Sequence, residues 1–348
     1  MMNISIDMLS LGNADSIIVW LKNQNNSNFI ILIDGGNKSD GEKVIRHLET
    51  HIKPNIGYAA PDLIICTHHD KDHIGGLTAV VEKYGTSIKE VWVNNPADHV
   101  SHHTYQLLKE GFRKKSELEQ YKSILESINN VEDFISVVDR IGIKRKPALH
   151  GPETQNNFFR ILGPTKEFYD LLLPGMDGIE KFVSDEANYL YNSHIAPKLV
   201  NEELETPSPC PVVEEENETS ATNNSSVIFE INAHNGKRFL FTGDAGVKAF
   251  EDVEKRYSLE DIHWLDVPHH GSRRNLSVKL IETMNPKFAL ISAKGGSDTK
   301  HPRKALVFCL RKHGAKVYST SKSGNLHHKF GNFPNRDGYK TASEIFKS

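Results

Sequence analysis

Apolar positions in this chain come in short, β-branched runs, each ended by a polar or glycine-containing turn. Residues 4–11, 16–21 and 29–33 read as three strands, and the Asn-rich run at 23–28 joins the last two as a hairpin. Asp34-Gly35-Gly36-Asn37 closes the third strand, and a helix is predicted over 42–51. Leu63-Ile64-Ile65-Cys66 then reads as a buried strand and 77–84 as the start of a helix. Between them stand Thr67-His68-His69-Asp70-Lys71-Asp72-His73-Ile74-Gly75-Gly76. This polar stretch lies on a strand-to-helix loop at the carboxyl end of a strand, where open α/β sheets place their sites.

Residues 92–161 read as mostly helical, with helical apolar spacing over 117–128 and 131–141. Residues 158–164 read as a strand ending in a turn. From 197 to 226 the composition shifts to Glu, Pro, Ser, Thr and Asn, which cannot bury a core, so a mobile acidic loop is expected over 197–222. Strands resume at 226–231 and 238–241, the second ending in Thr242-Gly243-Asp244. A further strand at 265–267 ends in Pro268-His269-His270-Gly271-Ser272. Another at 288–292 ends in a Gly-rich loop that reaches His301-Pro302. No internal repeat is visible.

Four strand endings thus carry groups able to bind metal. On a near-extended segment His68 and Asp70 point the same way, and His69 points the other way. Asp72 and His73, at the turn into the helix, face a second point nearby. Two imidazoles and two carboxylates in six residues suit a site with room for two ions.

Composition narrows the classes. At 348 residues the chain has ample length for a large core. No stretch approaches the ~20 apolar residues of a membrane span, and the start lacks the basic and apolar regions of a signal peptide. A cytoplasmic protein without membrane contact is therefore expected. Three widely spaced cysteines suggest neither a disulfide framework nor a zinc knuckle. The net charge of −3 hides an asymmetry: 271–348 holds 16 Lys+Arg against 4 Asp+Glu, leaving 26 against 41 in 1–270. An anionic partner would suit the basic end; a solvated surface balanced by the acidic part is the other reading.

The order His68-x-Asp70-x-Asp72-His73, Gly243-Asp244 and Pro268-His269-His270-Gly271-Ser272 resembles the metallo-β-lactamase fold. More closely it resembles the ComEC-type hydrolase domain of competence DNA-uptake proteins. The resemblance takes in Ile33-Asp34-Gly35-Gly36, Asn223-Asn224-Ser225-Ser226-Val227 and His301-Pro302. It also takes in Gly12-Asn13-Ala14-Asp15 as a relaxed form of that branch's Gly-x-Gly-Asp turn. It covers roughly 1–96 and 223–335. The implied fold is α/β (α+β): a four-layer αβ/βα sandwich with the metal site between two sheets. It would form one domain over 1–348, with a helical insertion at about 97–222.

The resemblance implies two divalent ions, Mn²⁺ or Zn²⁺, held by His68, Asp70, Asp72, His73, Asp244 and the pair His269 and His270. Local spacing does not choose between those last two. Asp70 stands where the superfamily usually has a histidine, and Asn223–Ser226 stands where another is usual. Both changes add oxygen and favour harder ions such as Mn²⁺. Asp34, Asn224 and Ser226 are expected to support the ligands.

A metal pair bridged by Asp244 would lower the pKa of a bound water and hold hydroxide for attack. Asp72 is expected to be essential to the chemistry. His301 would stabilise or protonate a leaving oxygen, or else simply start a helix before Pro302. Ser272, Arg273 and Arg274 could hold a phosphate. No Gly-x-Ser-x-Gly elbow competes. The expected activity is a soluble metal-dependent phosphodiesterase or nuclease acting on DNA or RNA. The alternatives are a hydrolase of a small ester, lactone or cyclic nucleotide, and a metal-bound binding module with a protein partner encoded nearby in a bacterial operon.

Overall fold

Runs such as Ile30-Ile31-Leu32-Ile33 are apolar on both faces, as a strand must be when it is covered on both sides. The computed structural model, which describes residues 2–99, 119–156, 158–173, 219–295 and 300–346, shows the two covers. The strands are β1 (Asn3–Met8), β2 (Ile17–Lys22), β3 (Asn28–Ile33), β4 (Leu63–Ile65), β5 (Glu90–Trp92), β6 (Lys144–Lys146) and β7 (Phe159–Gly163). They continue with β8 (Ile228–Asn232), β9 (Arg238–Phe241), β10 (Ile262–Asp266), β11 (Phe288–Ile291), β12 (Lys316–Ser319) and β13 (Leu326–Phe330). One sheet has the order β13-β1-β2-β3-β4-β5-β6, the other β12-β11-β10-β9-β8-β7.

Ile31, Ile33 and Ile65 face Phe229, Phe241 and Trp264 between the sheets. Ile30, Leu32 and Ile64 point outward under Val44, Leu48 and Val80 of the covering helices. The second sheet is covered likewise by Phe250, Leu280 and Val307. The result is the four-layer αβ/βα sandwich. Burying each such side chain contributes about 1.5–3 kcal/mol before entropy is counted.

The two sheets are built in the same order although the residues show no repeat. Three strands pair antiparallel (β1-β2-β3 and β7-β8-β9), and the strands that follow pair parallel. Parallel pairing sends the loops after β3, β4, β9, β10 and β11 to one edge of the sandwich.

The interval read as an insertion contributes more than helices. It supplies the helix Glu119–Ile141, which is continuous rather than split, together with β6 and β7 at the edges of the two sheets. The acidic segment expected to be mobile lies outside the described residues. Among the described residues no helix is long and apolar enough to cross a membrane. Cys66 is a free, buried thiol, whereas Cys309 is disulfide-bonded, a single pairing that the wide spacing of the cysteines did not announce. Spacing along the chain does not report distance between thiols.

β13 returns to pair antiparallel with β1, and the tail after it is fastened by a buried ion pair. Arg336 donates from Nε and Nη2 to Asp7 at 2.8–3.0 Å and from Nη2 to Ser5 Oγ at 3.2 Å. Phe333 meets Trp20 edge-on at 5.0 Å between ring centroids. Burial alone would raise the Asp7 pKa, but His47 and Arg336 hold it well below the usual carboxylate range.

Candidate metal centre

The loop after β3 turns at Asp34, whose φ of 55° puts a non-glycine residue in the left-handed region. The turn aims its carboxylate back at the His68–His73 segment. Oδ1 accepts from the Thr67 backbone N–H at 2.8 Å. Oδ2 accepts from Thr67 Oγ1 at 2.6 Å and from His73 Nδ1 at 2.8 Å. Gly35 N–H donates to His73 O at 2.7 Å, and Gly76 N–H to Gly36 O at 2.9 Å. The two Gly-Gly pairs are therefore in backbone contact, and a Cβ on Gly76 would lie 2.0 Å from Gly35 O. Gly76→Ala is expected to cost about 1–3 kcal/mol or more, because backbone must move to admit the methyl group. Gly151→Ala, with no atom within 4 Å, should leave a thermal melt near wild type.

Four histidines converge on Asp244, and each has its Nδ1 engaged by the protein. His68 Nδ1 lies 3.1 Å from Thr67 Oγ1 and 3.2 Å from Ser226 Oγ. His73 donates to Asp34, and His270 donates to Ser292 O at 3.0 Å. His269 Nδ1 sits 3.2 Å from both Asn275 Oδ1 and Asn223 Nδ2. With Nδ1 held, Nε2 is left to face the carboxylates, the arrangement that fixes a ligating tautomer.

The Nε2 atoms fall into two groups on either side of Asp244. Its Oδ1 lies 3.4 Å from His73 Nε2. Its Oδ2 lies 3.9 Å from His68 Nε2 and 3.8 Å from His269 Nε2. Asp70 Oδ2 joins the His68 group at 3.5 Å, and Asp72 Oδ2 faces His270 Nε2 at 3.5 Å. Asp15, His73, Asp244 and His270 each offer a ligand atom within 4.8 Å of the others.

Both members of the histidine pair thus enter the site, on different sides of Asp244. Backbone conformation makes this happen: His269, His270 and Gly271 have φ of 50°, 53° and 80°. Two consecutive non-glycine residues in that region cost about 1–2 kcal/mol each, a strain held at a site by the surrounding packing.

The donor set fits a divalent cation. His68 Nε2, His73 Nε2, Asp15 Oδ1 and Asp244 Oδ1 are buried with no hydrogen-bond partner, which is costly unless something fills the space between them. Burial would lower the His73 pKa, yet the Asp244 and Asp34 carboxylates hold it well above the ordinary value. His270 is likewise lowered by burial but held high by Asp15 and Asp72. Burial opposes ionisation of Asp72, which His270 and His73 nonetheless draw down to about 2. Asp244, also opposed by burial, is pulled well below the usual range by His269, His73 and His68. Asp266, behind the site, is pushed well up by burial and by the nearby Asp15 charge.

The supporting residues expected from the sequence sit against the ligand loops. Ser226 Oγ touches His68 and accepts from the Asp244 N–H at 3.1 Å. Asn224 Oδ1 accepts from Gly246 and Ala249 N–H, which sets the chain that follows Asp244. His69 is buried, and burial pulls its pKa down to about 4. His301 packs beside His269, with ring centroids 5.5 Å apart, and the helix Lys304–Lys312 begins only after Arg303. Ser272 is fully buried, with Oγ accepting from Arg274 N–H at 3.2 Å, so it braces the turn that carries Arg273 and Arg274. Asp15, Thr67 and Asn275 were not singled out from the sequence. Only Asp15 had a signal, the Gly12-Asn13-Ala14-Asp15 turn.

A family model described as the metallo-beta-lactamase superfamily matches residues 10–295. The chain belongs to that superfamily. Its relatives include ComE operon protein 3 of Bacillus subtilis (strain 168), 26% identical over 113 residues, which is 32% of this chain and 14% of that protein. Competence protein ComA of Neisseria gonorrhoeae is 31% identical over 97 residues, 28% of this chain and 14% of that protein. Hydroxyacylglutathione hydrolase of Chromohalobacter salexigens is 34% identical over 70 residues, 20% of this chain and 24% of that enzyme. The match thus spans about a seventh of either competence protein. As a superfamily member with this cluster of buried Asp and His residues, the chain has the framework of a metal-dependent hydrolase.

Proposed function

We propose that this superfamily member is a metal-dependent phosphodiesterase that cleaves nucleic acid, with single-stranded DNA or RNA as substrate. One observation carries the reading: the basic end of the chain is threaded through the loops that hold the ligands. Arg273 and Arg274 follow the histidine pair after Gly271 and Ser272. Arg303 N–H donates to Gly271 O at 3.0 Å, and Lys294 N–H donates to Asn13 Oδ1 at 3.0 Å, two residues from Asp15. These backbone bonds bring a cation-rich stretch of chain to the loops of the carboxylate pocket, where phosphate recognition would use it. The matches to two competence proteins support the ComEC-type resemblance, which implies the same substrate.

In this reading His68, Asp70 and His269 would hold one divalent ion and Asp72, His73 and His270 the other, with Asp244 facing both groups. Mn²⁺ or Zn²⁺ there would supply Lewis acidity and activate a water at neutral pH. Asp34 keeps His73 in the tautomer that presents Nε2. His301, packed beside His269, would give a proton to the leaving oxygen. Arg273 and Arg274 fix the phosphodiester.

The test is to incubate metal-stripped protein with labelled single- and double-stranded DNA and RNA, adding back Mn²⁺, Zn²⁺ or Mg²⁺. Cleavage that depends on the added ion supports the reading. A second reading, hydrolysis of a small ester, is favoured by the match to hydroxyacylglutathione hydrolase. It would show as turnover of a hydroxyacyl thioester with every polynucleotide left intact.

Salt dependence separates the two readings further. Each phosphate contact on a single strand contributes about −0.7 to the slope of log affinity against log salt. Arg273→Ala combined with Arg274→Ala is expected to flatten that slope by about 1.4 if both contact phosphate. Hydrolysis of a small chromogenic phosphodiester should survive better. Equal loss on both substrates with an unchanged slope would place the damage in the metal site instead.

A further inference from the structure

Of the four residues that close the pocket around His73, Asp15 comes from outside the ligand motifs. Its backbone is fixed to the ligand loops on both sides: its N–H donates to Asp72 O at 3.0 Å and its C=O accepts from Gly36 N–H at 2.8 Å. The residue is only 7% exposed. Oδ2 lies 4.0 Å from His73 Nε2, and Oδ1 lies 3.4 Å from His270 Nδ1. That imidazole nitrogen has a nearer acceptor in Ser292 O at 3.0 Å, and Asp15 Oδ1 is left buried without a hydrogen-bond partner. His73 Nε2 and Asp244 Oδ1 are in the same condition in the same pocket. A buried carboxylate is stable there only with a cation against it.

We propose that Asp15 is a ligand for the ion at His73, and that it makes the two metal positions unequal. The inference rests on the metal-dependent reading above. Around His73 three carboxylates (Asp15, Asp72 and Asp244) face two imidazoles. Around His68 the carboxylates are Asp70, whose side chain is 37% exposed, and the shared Asp244, with His269 as the second imidazole. More anionic oxygen and deeper burial make the His73 position the tighter one and select a hard ion such as Mn²⁺. The His68 position, with less carboxylate and more access to water, fills second.

Metal-stripped protein titrated with Mn²⁺, with free ion followed by electron paramagnetic resonance, is expected to bind in two phases. Asp15→Asn should weaken the tighter phase by on the order of 10²-fold and leave the weaker phase in place. Asp70→Asn should do the reverse. Metal-free thermal melts establish that each variant is folded, and the smaller Asp15→Ser replaces the Asn variant if that melt is lost. A single phase in the wild type overturns the inequality. Unchanged Mn²⁺ binding in a folded Asp15 variant, with the tighter phase lost in His73→Gln, overturns the role of Asp15 while the metal-dependent reading stands. Unchanged binding in all variants, His73→Gln included, removes both.

Discussion

Asp244→Asn should reduce hydrolysis by on the order of 10³-fold or more and sharply lower the bound metal. The substitution keeps the shape of the side chain and removes a carboxylate whose two oxygens face both histidine groups, at 3.4 Å on one side and 3.8–3.9 Å on the other. An amide offers one weaker oxygen donor, so at least one position loses its shared ligand. The fold should persist, because the backbone at this residue is held independently. Its N–H donates to Ser226 Oγ, and its C=O accepts from Asn275 Nδ2 at 2.8 Å. Elemental analysis, a melt of the metal-free protein and the rate on a small phosphodiester together check the outcome. Wild-type metal content and rate in a folded variant would show that Asp244 does not join the two groups.

The largest stability effect is expected far from the site, at Arg336→Met. Removing the guanidinium leaves Asp7 buried as an anion beside His47 and Tyr339, and breaking a buried pair on one side typically costs about 3–5 kcal/mol. The loss should also release the tail that packs Phe333 on Trp20. Its pH dependence has a definite sign. Asp7 has a pKa lowered in the folded state, so the pair stabilises fully above the unfolded value of about 3.9 and loses this contribution as pH falls toward the lower folded value. The stability gap between wild type and Arg336→Met should therefore be constant from about pH 5 to 7 and shrink in acid. Urea melts at several pH values measure it. A gap that widens in acid would mean that Asp7 is not the group Arg336 stabilises.

Much of this protein was written locally. The run at 29–33 announced a strand and that at 63–66 a buried one, and the polar cluster after the second announced where ligands lie. Those features depend on a few neighbouring residues and on side-chain alternation, which local sequence controls. Parts of the site escaped for an equally physical reason. Whether His269 or His270 enters could not be read from spacing, because alternation assumes extended backbone and both residues adopt positive φ; in fact both enter, on opposite sides of Asp244. Asp15 looked like a turn residue until the β1–β2 connection was laid against the loop after β4. β6, β12 and β13 carry too many charged or polar residues to stand out as strands, and they form because a neighbouring strand offers them a ladder. The pairing of Arg336 with Asp7 joins opposite ends of the chain. Periodicity determined the strands and the places of the ligand clusters, and the resemblance carried by those motifs implied the sandwich, while register and packing decided which distant groups meet, since those contacts exist only once both sheets are closed.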